Sequence, residues 1–202
     1  MQPASLLDEE PHEIVLDTST IINLNATGFA EEILTALPHR FLVPLPVVTE
    51  LESGRAKGYT DATDMFALMD RDIIEPIRMT NEERLAFIGF VSGNAAQSPG
   101  DGEAATLALT ETGQRWACID EKKARYLCRR LPASKLISTL DIILHKSVVS
   151  RLSEFEIVSC VGAALEVAYM NVQAEHLEWV LTIIPQERLN RCLSLPKRYR
   201  VI

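Results

Sequence analysis

The strongest constraint on the fold is an alternation of two patterns, short apolar runs rich in β-branched residues and longer segments with helical spacing. Four of the runs predict strands, at residues 13–17, 40–45, 114–120 and 134–138. Residues 73–77 predict either a short strand or a turn. Strands that alternate with helices form parallel sheets that are covered on both faces. We therefore predict an α/β fold with a parallel sheet of about four to five strands and helices on both faces.

Segments with helical spacing follow most of these strands, and they predict helices at residues 18–38, 46–58, 60–71, 80–92, 121–131 and 139–152. From about residue 155 the pattern is helical, with no further strand signal. We expect residues 1–150 to form the α/β domain and residues 151–202 to form a helical C-terminal extension packed on that domain. The apolar face of the extension suits core packing, and it also suits a homodimer or a groove for a protein partner.

Composition narrows the class of protein further. The formal net charge of −8 argues against a broad basic surface for duplex nucleic acid. The four cysteines stand apart, without the paired spacing of a zinc site or the density of a disulfide scaffold. The first residues lack the apolar core of a signal peptide, and no apolar run approaches the roughly 18 residues of a membrane span. We expect a cytoplasmic protein without membrane association.

Acidic residues recur where predicted strands end and predicted helices begin. Asp17 and Asp120 each end a strand, Glu121 follows Asp120, and Asp101 and Glu103 open a helix. Because the carboxyl ends of parallel strands lie along one edge of a sheet, residues distant in sequence meet there. Each Asp taken singly also suits a helix N-cap, and Asp101 fits that role fully. Glu103 fits it less well, because helical spacing places its side chain towards the apolar face.

The segment 46–58 contains a further candidate ligand, because Glu50 and Glu52 both flank its apolar stripe and periodicity does not choose between them. If three or four such carboxylates meet, their repulsion is unfavourable unless a cation neutralises it. Oxygen ligands of this kind favour Mg²⁺ or Mn²⁺, whereas the four scattered histidines do not suggest a zinc site. The chain also lacks the glycine-rich phosphate loops and the nucleophile elbow of other enzyme classes.

An ordered set of segments resembles the motifs of the PIN-domain family, whose members are mostly metal-dependent ribonucleases. Four of these segments carry acidic residues: IVLDTSTII, LPVVTELESG, GDGEAATLAL and WACIDEKKARYLCRRL. The later segment LISTLDIILHKS is similar to the final strand and helix of the family, with Ser138 and Thr139 where relatives often have Gly-Thr. The resemblance spans roughly residues 13–148 and implies a PIN-like fold.

This resemblance also implies a set of site residues. It implies four catalytic residues that are metal ligands, which are Asp17, Glu50, Glu103 and Asp120. It selects Glu50 over Glu52 and makes Asp101 an accessory metal ligand. Glu121 stands at a further acidic metal position, where many relatives have Asp. Ser19, or its neighbour Thr18, would supply a hydroxyl beside the first ligand.

The chemistry that the resemblance implies is phosphodiester hydrolysis with one or two Mg²⁺ or Mn²⁺ ions as cofactors. The implied substrate is single-stranded RNA, with DNA less favoured. The helix 121–131 carries basic residues that suit guidance of a strand past the site or simply form a solvated face: Lys122, Lys123, Arg125, Arg129 and Arg130. Because the family includes VapC-type toxins of bacterial toxin–antitoxin pairs, an antitoxin-like protein inhibitor is an implied partner.

Two rival interpretations belong to other classes. In the first, the chain is a non-catalytic PIN-like module that binds RNA or a protein, and its acidic residues serve as helix caps. In the second, it is a Mg²⁺-dependent phosphatase of the haloacid dehalogenase type. That family has a second Asp two residues after the first, where this chain has Ser19, so the motif disfavours the second interpretation.

Overall fold

A computed structural model describes residues 3–92 and 98–200 of the chain. Within them lies a sheet of five parallel strands in the order β3-β2-β1-β4-β5. The strands are β1 (Glu13–Leu16), β2 (Arg40–Pro44), β3 (Ile74–Ile77), β4 (Trp116–Cys118) and β5 (Lys135–Ile137). This architecture confirms the α/β prediction, and it resolves residues 73–77 as an edge strand.

Helices cover both faces of the sheet, because alternate residues of each strand point to opposite sides. On one side, Ile14 and Leu16 of β1 pack in a large apolar cluster with Ile21 of the following helix. On the other side, Val15 packs with Leu42 and with Leu109 of a later helix. The central strand is therefore buried on both faces, which explains its continuous apolar run.

The described residues form twelve α-helices and one 3₁₀ turn, which spans Lys197–Tyr199. Those that belong to the α/β part are α1 (Thr18–Thr27), α2 (Ala30–Thr35), α3 (Leu45–Arg55), α4 (Asp61–Met69), α5 (Asn81–Val91), α6 (Asp101–Thr110), α7 (Lys122–Cys128), α8 (Thr139–Ile143) and α9 (Lys146–Arg151). The remainder are α10 (Glu154–Glu166), α11 (Ala174–Ile183) and α12 (Gln186–Leu189).

Two of the helix predictions were wrong, because each predicted helix is divided in two. The helix expected over residues 18–38 ends at Gly28, whose φ of 72° is left-handed and readily adopted only by glycine. The helix expected over residues 139–152 is interrupted at His145, whose ring nitrogen accepts a hydrogen bond from the Ser147 N–H and caps α9. Helical periodicity continues across both breaks, so it does not reveal them.

The C-terminal helices share the main apolar cluster of the α/β part. Cys160 and Leu165 of α10 and Val180 of α11 are buried in the same cluster as the residues of β1. None of the helices in the described ranges combines the length and the apolarity that crossing a bilayer requires.

Candidate metal centre

Two buried carboxylates lie near each other, where the central strand β1 and its neighbour β4 end. Leu16 of β1 is in register with Cys118 of β4, and the Asp17 N–H donates to the Cys118 carbonyl at 3.3 Å. Asp17 therefore follows one strand and Asp120 follows its neighbour at the same edge of the sheet. Asp17 and Asp120 are each only 1% exposed.

Asp17 is the N-cap of α1, and donors from the first turn of that helix hold its carboxylate. The Thr20 N–H donates to Oδ1 at 2.7 Å, and the Ser19 hydroxyl lies 3.0 and 2.9 Å from the two oxygens. Burial raises the pKa of Asp17 to about 7, and the negative charge of Asp120 adds to the rise, although the hydrogen bonds from Thr20 and Ser19 oppose it. The carboxylate is thus oriented by its donors, and no Lys, Arg or His in the described ranges forms an ion pair with it.

Asp120 is held by donors from two other elements. Asn23 of α1 donates its Nδ2–H to Oδ2 at 2.7 Å, the Thr139 N–H donates to Oδ1 at 3.0 Å, and the Thr139 hydroxyl donates to Oδ2. Burial raises the pKa of Asp120, and the hydrogen bonds from Thr139 and Asn23 partly offset this effect. Sequence reasoning noted Thr139 only for its motif position and missed Asn23. The sequence contained one signal for Asn23, because it follows Thr20 by three residues and so lies on the same face of α1.

Glu103 lies at the third position of α6, half-buried, with its carboxylate turned back on the start of the helix. Its Oε2 accepts the Gly100 N–H at 3.0 Å. Burial raises the pKa of Glu103, and the charges of Glu121 and Glu50 add to the rise. The expectation that Asp101 is the N-cap was wrong, because Gly100 occupies that position and Asp101 is the first, exposed residue of the helix.

Glu50 is linked to the carboxyl end of β1 by a hydrogen bond from Thr18, the residue after Asp17. The Thr18 hydroxyl donates to Glu50 Oε2 at 2.7 Å, whereas the Glu52 carboxylate accepts no hydrogen bond from any part of the chain that the structure describes. The start of α6 approaches this contact so closely that a Cβ on Gly102 would lie 2.6 Å from Thr18 Oγ1 and 2.7 Å from Glu50 Oε2. Glycine at this position allows α1, α3 and α6 to converge beside Asp17.

The C-terminal extension also reaches this edge of the sheet. Gln173 donates its Nε2–H to the main-chain carbonyl of Asp120 at 3.3 Å, and Asn171 donates its Nδ2–H to Oε2 of Glu121 at 3.3 Å. Glu121 is half-buried at the N-cap of α7. Neither amide was singled out in the sequence, because helical spacing carries no information about which loops cover a site.

The basic residues of α7 and its C-cap residue Arg129 do not share one environment. Lys122 and Arg129 are exposed, as contact with a nucleic-acid strand requires. The expectation that Arg125 contacts nucleic acid was wrong, because Arg125 is 3% exposed and donates through Nη1 to the carbonyls of Ile119 and Ile137 at 2.7 and 2.8 Å. Its guanidinium joins the ends of β4 and β5 instead of facing solvent.

The site consists of a buried pair, Asp17 and Asp120, and an outer group of acids beside it, which are Glu50, Glu103 and Glu121. Among residues 3–92 and 98–200, no three His, Cys, Asp or Glu side chains lie close enough to hold a metal ion together. Within the same residues, neither Asp17 nor Asp120 forms an ion pair with Lys, Arg or His. Two buried carboxylates that offer only oxygen ligands suit a hard divalent cation that keeps several water ligands.

Comparison with known families decides the class of this fold. A family model for a PIN domain, DUF3368, matches residues 13–155. The chain belongs to the PIN-domain family. This PIN domain spans all five strands and all six acidic positions, and the assignment excludes the haloacid dehalogenase alternative. Searches of curated proteins and of solved structures return no match.

Proposed function

We propose that this PIN domain is a nuclease that uses Mg²⁺ or Mn²⁺ to hydrolyse phosphodiester bonds in single-stranded RNA. The observation that carries the proposal is the buried Asp17–Asp120 pair, which forms no ion pair with a described Lys, Arg or His. Burial raises the pKa of Asp120, and this effect is larger than the lowering by the nearby Arg125 guanidinium. Two buried carboxylates need a compensating cation or proton. A divalent ion that also binds water and a substrate phosphate meets that need.

In this proposal Asp17 and Asp120 hold the ion, and Glu50 and Glu103 complete the catalytic set. Asp101 and Glu121 are accessory ligands at the margin of the site. When bound, the ion supplies an activated water and stabilises charge on the phosphate.

The chain itself contributes the orientation of the buried carboxylates. Ser19 and Thr20 fix Asp17, while Asn23 and Thr139 fix Asp120. These donors favour the ionised carboxylates that a cation requires, and they oppose the effect of burial. The exposed Lys122 and Arg129 are proposed contacts for the RNA backbone.

The test is cleavage of single-stranded RNA by the wild-type protein and by Asp17→Asn, in Mn²⁺ and in EDTA. We expect Mn²⁺-dependent cleavage by the wild type and its loss in the variant, while the circular dichroism spectrum is retained. Asp70→Asn is the matched control, because Asp70 is exposed at the end of α4. Equal activity of Asp17→Asn and the wild type contradicts the proposal.

A second candidate function is an RNA- or protein-binding module without catalysis. It is favoured by one observation, that the described acids do not form a three-ligand cluster. Calorimetric titration with Mn²⁺ separates the two candidates, because a binding module retains its partner without taking up the ion. Ion uptake by the wild type that is lost in Asp120→Asn supports the nuclease.

The proposal extends to a cytoplasmic toxin that an antitoxin-like protein inhibits, with a homodimer as the assembly. Its support is the family resemblance, since the family includes such toxins. Growth arrest on expression of the wild type, but not of Asp17→Asn, tests the toxin role. A strictly monomeric mass by light scattering at high concentration contradicts the homodimer.

A further inference from the structure

Two surface clefts flank α3 and share Glu50 and Ser53. The arginine cleft, of about 640 Å³, lies between α3 and α5 and is lined by Arg78, Arg84, Phe87 and Asp101. The tyrosine cleft, of about 800 Å³, lies on the other side and is lined by Thr18, Lys57, Tyr59, Asp61, Asp64 and Tyr169. The polar face of α3 thus stands between two cavities that both reach the candidate metal centre.

Two exposed aromatic rings line the tyrosine cleft, and they come from segments that are distant in sequence. Tyr59, 63% exposed, comes from the connection between α3 and α4, where its Cδ2 would lie 3.6 Å from a Cβ on Gly54. Tyr169, 55% exposed, comes from the C-terminal extension. Neither hydroxyl hydrogen-bonds to another residue within the described ranges, so both rings are available to a ligand.

Tyr169 occupies a backbone position that normally takes glycine. Its φ is 55°, and the Met170 N–H donates to the Ala164 carbonyl at 3.0 Å, which closes the end of α10 around it. A bulky side chain is unfavourable at such a left-handed position, and residues held this way occur often at functional sites. Packing does not explain the choice, because the ring is exposed.

The charges of the two clefts differ in a way that suits the two parts of a nucleotide. Arg78 and Arg84 are exposed and form no ion pair with any described carboxylate, so they are free to bind phosphates. The tyrosine cleft carries Asp61 and Asp64 against one cation among its described lining residues, Lys57, and this excess of carboxylates disfavours phosphates. The two carboxylates can accept hydrogen bonds from the amino groups of bases. Aromatic rings bind unpaired bases by stacking, whereas a duplex keeps its bases stacked on one another.

We propose that a single-stranded RNA crosses α3 at Glu50, with an unpaired base stacked on Tyr59 and Tyr169 and with phosphates on Arg78 and Arg84. The C-terminal extension then forms one wall of the substrate site. This inference rests on the proposed nuclease function for the identity of the substrate, but it concerns binding and is testable without the metal ion.

The test measures fluorescence anisotropy of a labelled single-stranded oligoribonucleotide in EDTA, with the full chain. We expect Tyr59→Ala and Tyr169→Ala each to weaken binding on the order of tenfold. Tyr59→Phe and Tyr169→Phe keep the ring and should bind like the wild type. Phe155→Ala is the matched control, because Phe155 is exposed at the opposite end of α10. The same oligonucleotide annealed to its complement should not compete.

Tyr169→Gly separates a binding role from a structural one. Glycine accepts the left-handed backbone, so this variant should melt at or above the wild-type temperature while its RNA affinity falls as in Tyr169→Ala. Wild-type affinity in Tyr59→Ala and Tyr169→Ala overturns the inference. A loss of binding only in Tyr126→Ala also overturns it, because Tyr126 is an exposed tyrosine on α7, outside the tyrosine cleft.

The failure of this inference is distinguishable from failure of the proposed function. If Mn²⁺-dependent cleavage occurs and both alanine variants bind normally, the tyrosine cleft is not the substrate site and the nuclease proposal stands. If RNA binding depends on both tyrosines but Mn²⁺ produces no cleavage, the cleft is a binding site and the nuclease proposal fails.

Discussion

His176 of α11 lies with its Nε2 3.4 Å from Oδ1 of Asp141 in α8, and both residues are fully enclosed. This contact joins the C-terminal extension to the helix that begins with Thr139, a donor to Asp120. Burial alone would raise the pKa of Asp141, but the adjacent His176 ring and hydrogen bonds from Ser138 and the Leu6 N–H hold it below its usual value. The extension therefore packs, through His176, against the helix whose first residue donates to Asp120.

Replacement of His176 by Ala should lower the free energy of unfolding by about 3 kcal/mol, because it leaves a buried carboxylate with one partner fewer. Urea denaturation measures this change. Glu178→Ala, an exposed position on the same helix, is the control and should change the free energy by less than about 0.5 kcal/mol. Similar values for the two variants would mean that the Asp141–His176 contact does not stabilise the fold.

Asp17→Asn should make the metal-free protein more stable while it removes activity. The substitution relieves a buried charge beside Asp120, and asparagine retains the capping role at the start of α1. We expect a gain of roughly 1–3 kcal/mol in EDTA. In Mn²⁺ the wild type should gain thermal stability and the variant should not, because only the wild type binds the ion. A metal-induced shift of equal size in both proteins would argue against Asp17 as a ligand.

Glu50 and Glu52 form a matched pair for a test of the outer acids. Both are exposed on α3, but only Glu50 accepts the Thr18 hydroxyl among the residues described. Glu50→Gln should lower Mn²⁺-dependent cleavage by about two orders of magnitude, and Glu52→Gln should leave it unchanged. Single-turnover cleavage rates check this prediction, and a comparable loss in both variants would count against a specific role for Glu50.

Gly102→Ala should disturb the site more than the fold. The new Cβ would lie within 3 Å of Thr18 Oγ1 and Glu50 Oε2, so their hydrogen bond must break or shift. We expect a loss of about 1 kcal/mol in stability and roughly tenfold in cleavage rate. Gly89→Ala on α5 is the control, because its Cβ would meet no atom within 4 Å and alanine favours the helix. Unchanged cleavage in Gly102→Ala would contradict the convergence of α1, α3 and α6 as a functional requirement.

His39 should make stability depend on pH in the acidic range. Its Nδ1 accepts the His12 N–H at 3.3 Å, and burial followed by the charges of His145 and His12 lowers its pKa to about 4. Since the unfolded chain takes up this proton near pH 6.5, stability contributed by neutral His39 is present above that pH and is lost as pH falls towards 4. Relative to the wild type, His39→Gln should unfold with a smaller pH dependence between these values, measured by urea denaturation. An identical pH dependence would exclude His39 as the cause.

The local sequence was sufficient to predict four of the five strands and the edge at which the acids meet, whereas residues 73–77 suited a strand or a turn equally. β-Branched apolar runs specify strands, and parallel connections place every strand end on one side, so Asp17 and Asp120 were predicted to converge without knowledge of the packing. The helix breaks at Gly28 and His145 were missed because apolar periodicity continues through them. Their positions depend on a left-handed residue and on a side-chain cap.

The partners of the site were decided by tertiary structure alone. Arg125 has the sequence signature of an exposed helical cation, yet it lies under the strand ends, where its guanidinium donates to the carbonyls of Ile119 and Ile137. Asn23 reaches Asp120 across 97 residues of sequence, and Gln173 reaches it across 53. The sequence determined which residues end the strands, because strand formation is local. The tertiary structure decided which side chains surround them, because hydrogen bonding in a buried site depends on groups that the chain brings together only when it folds.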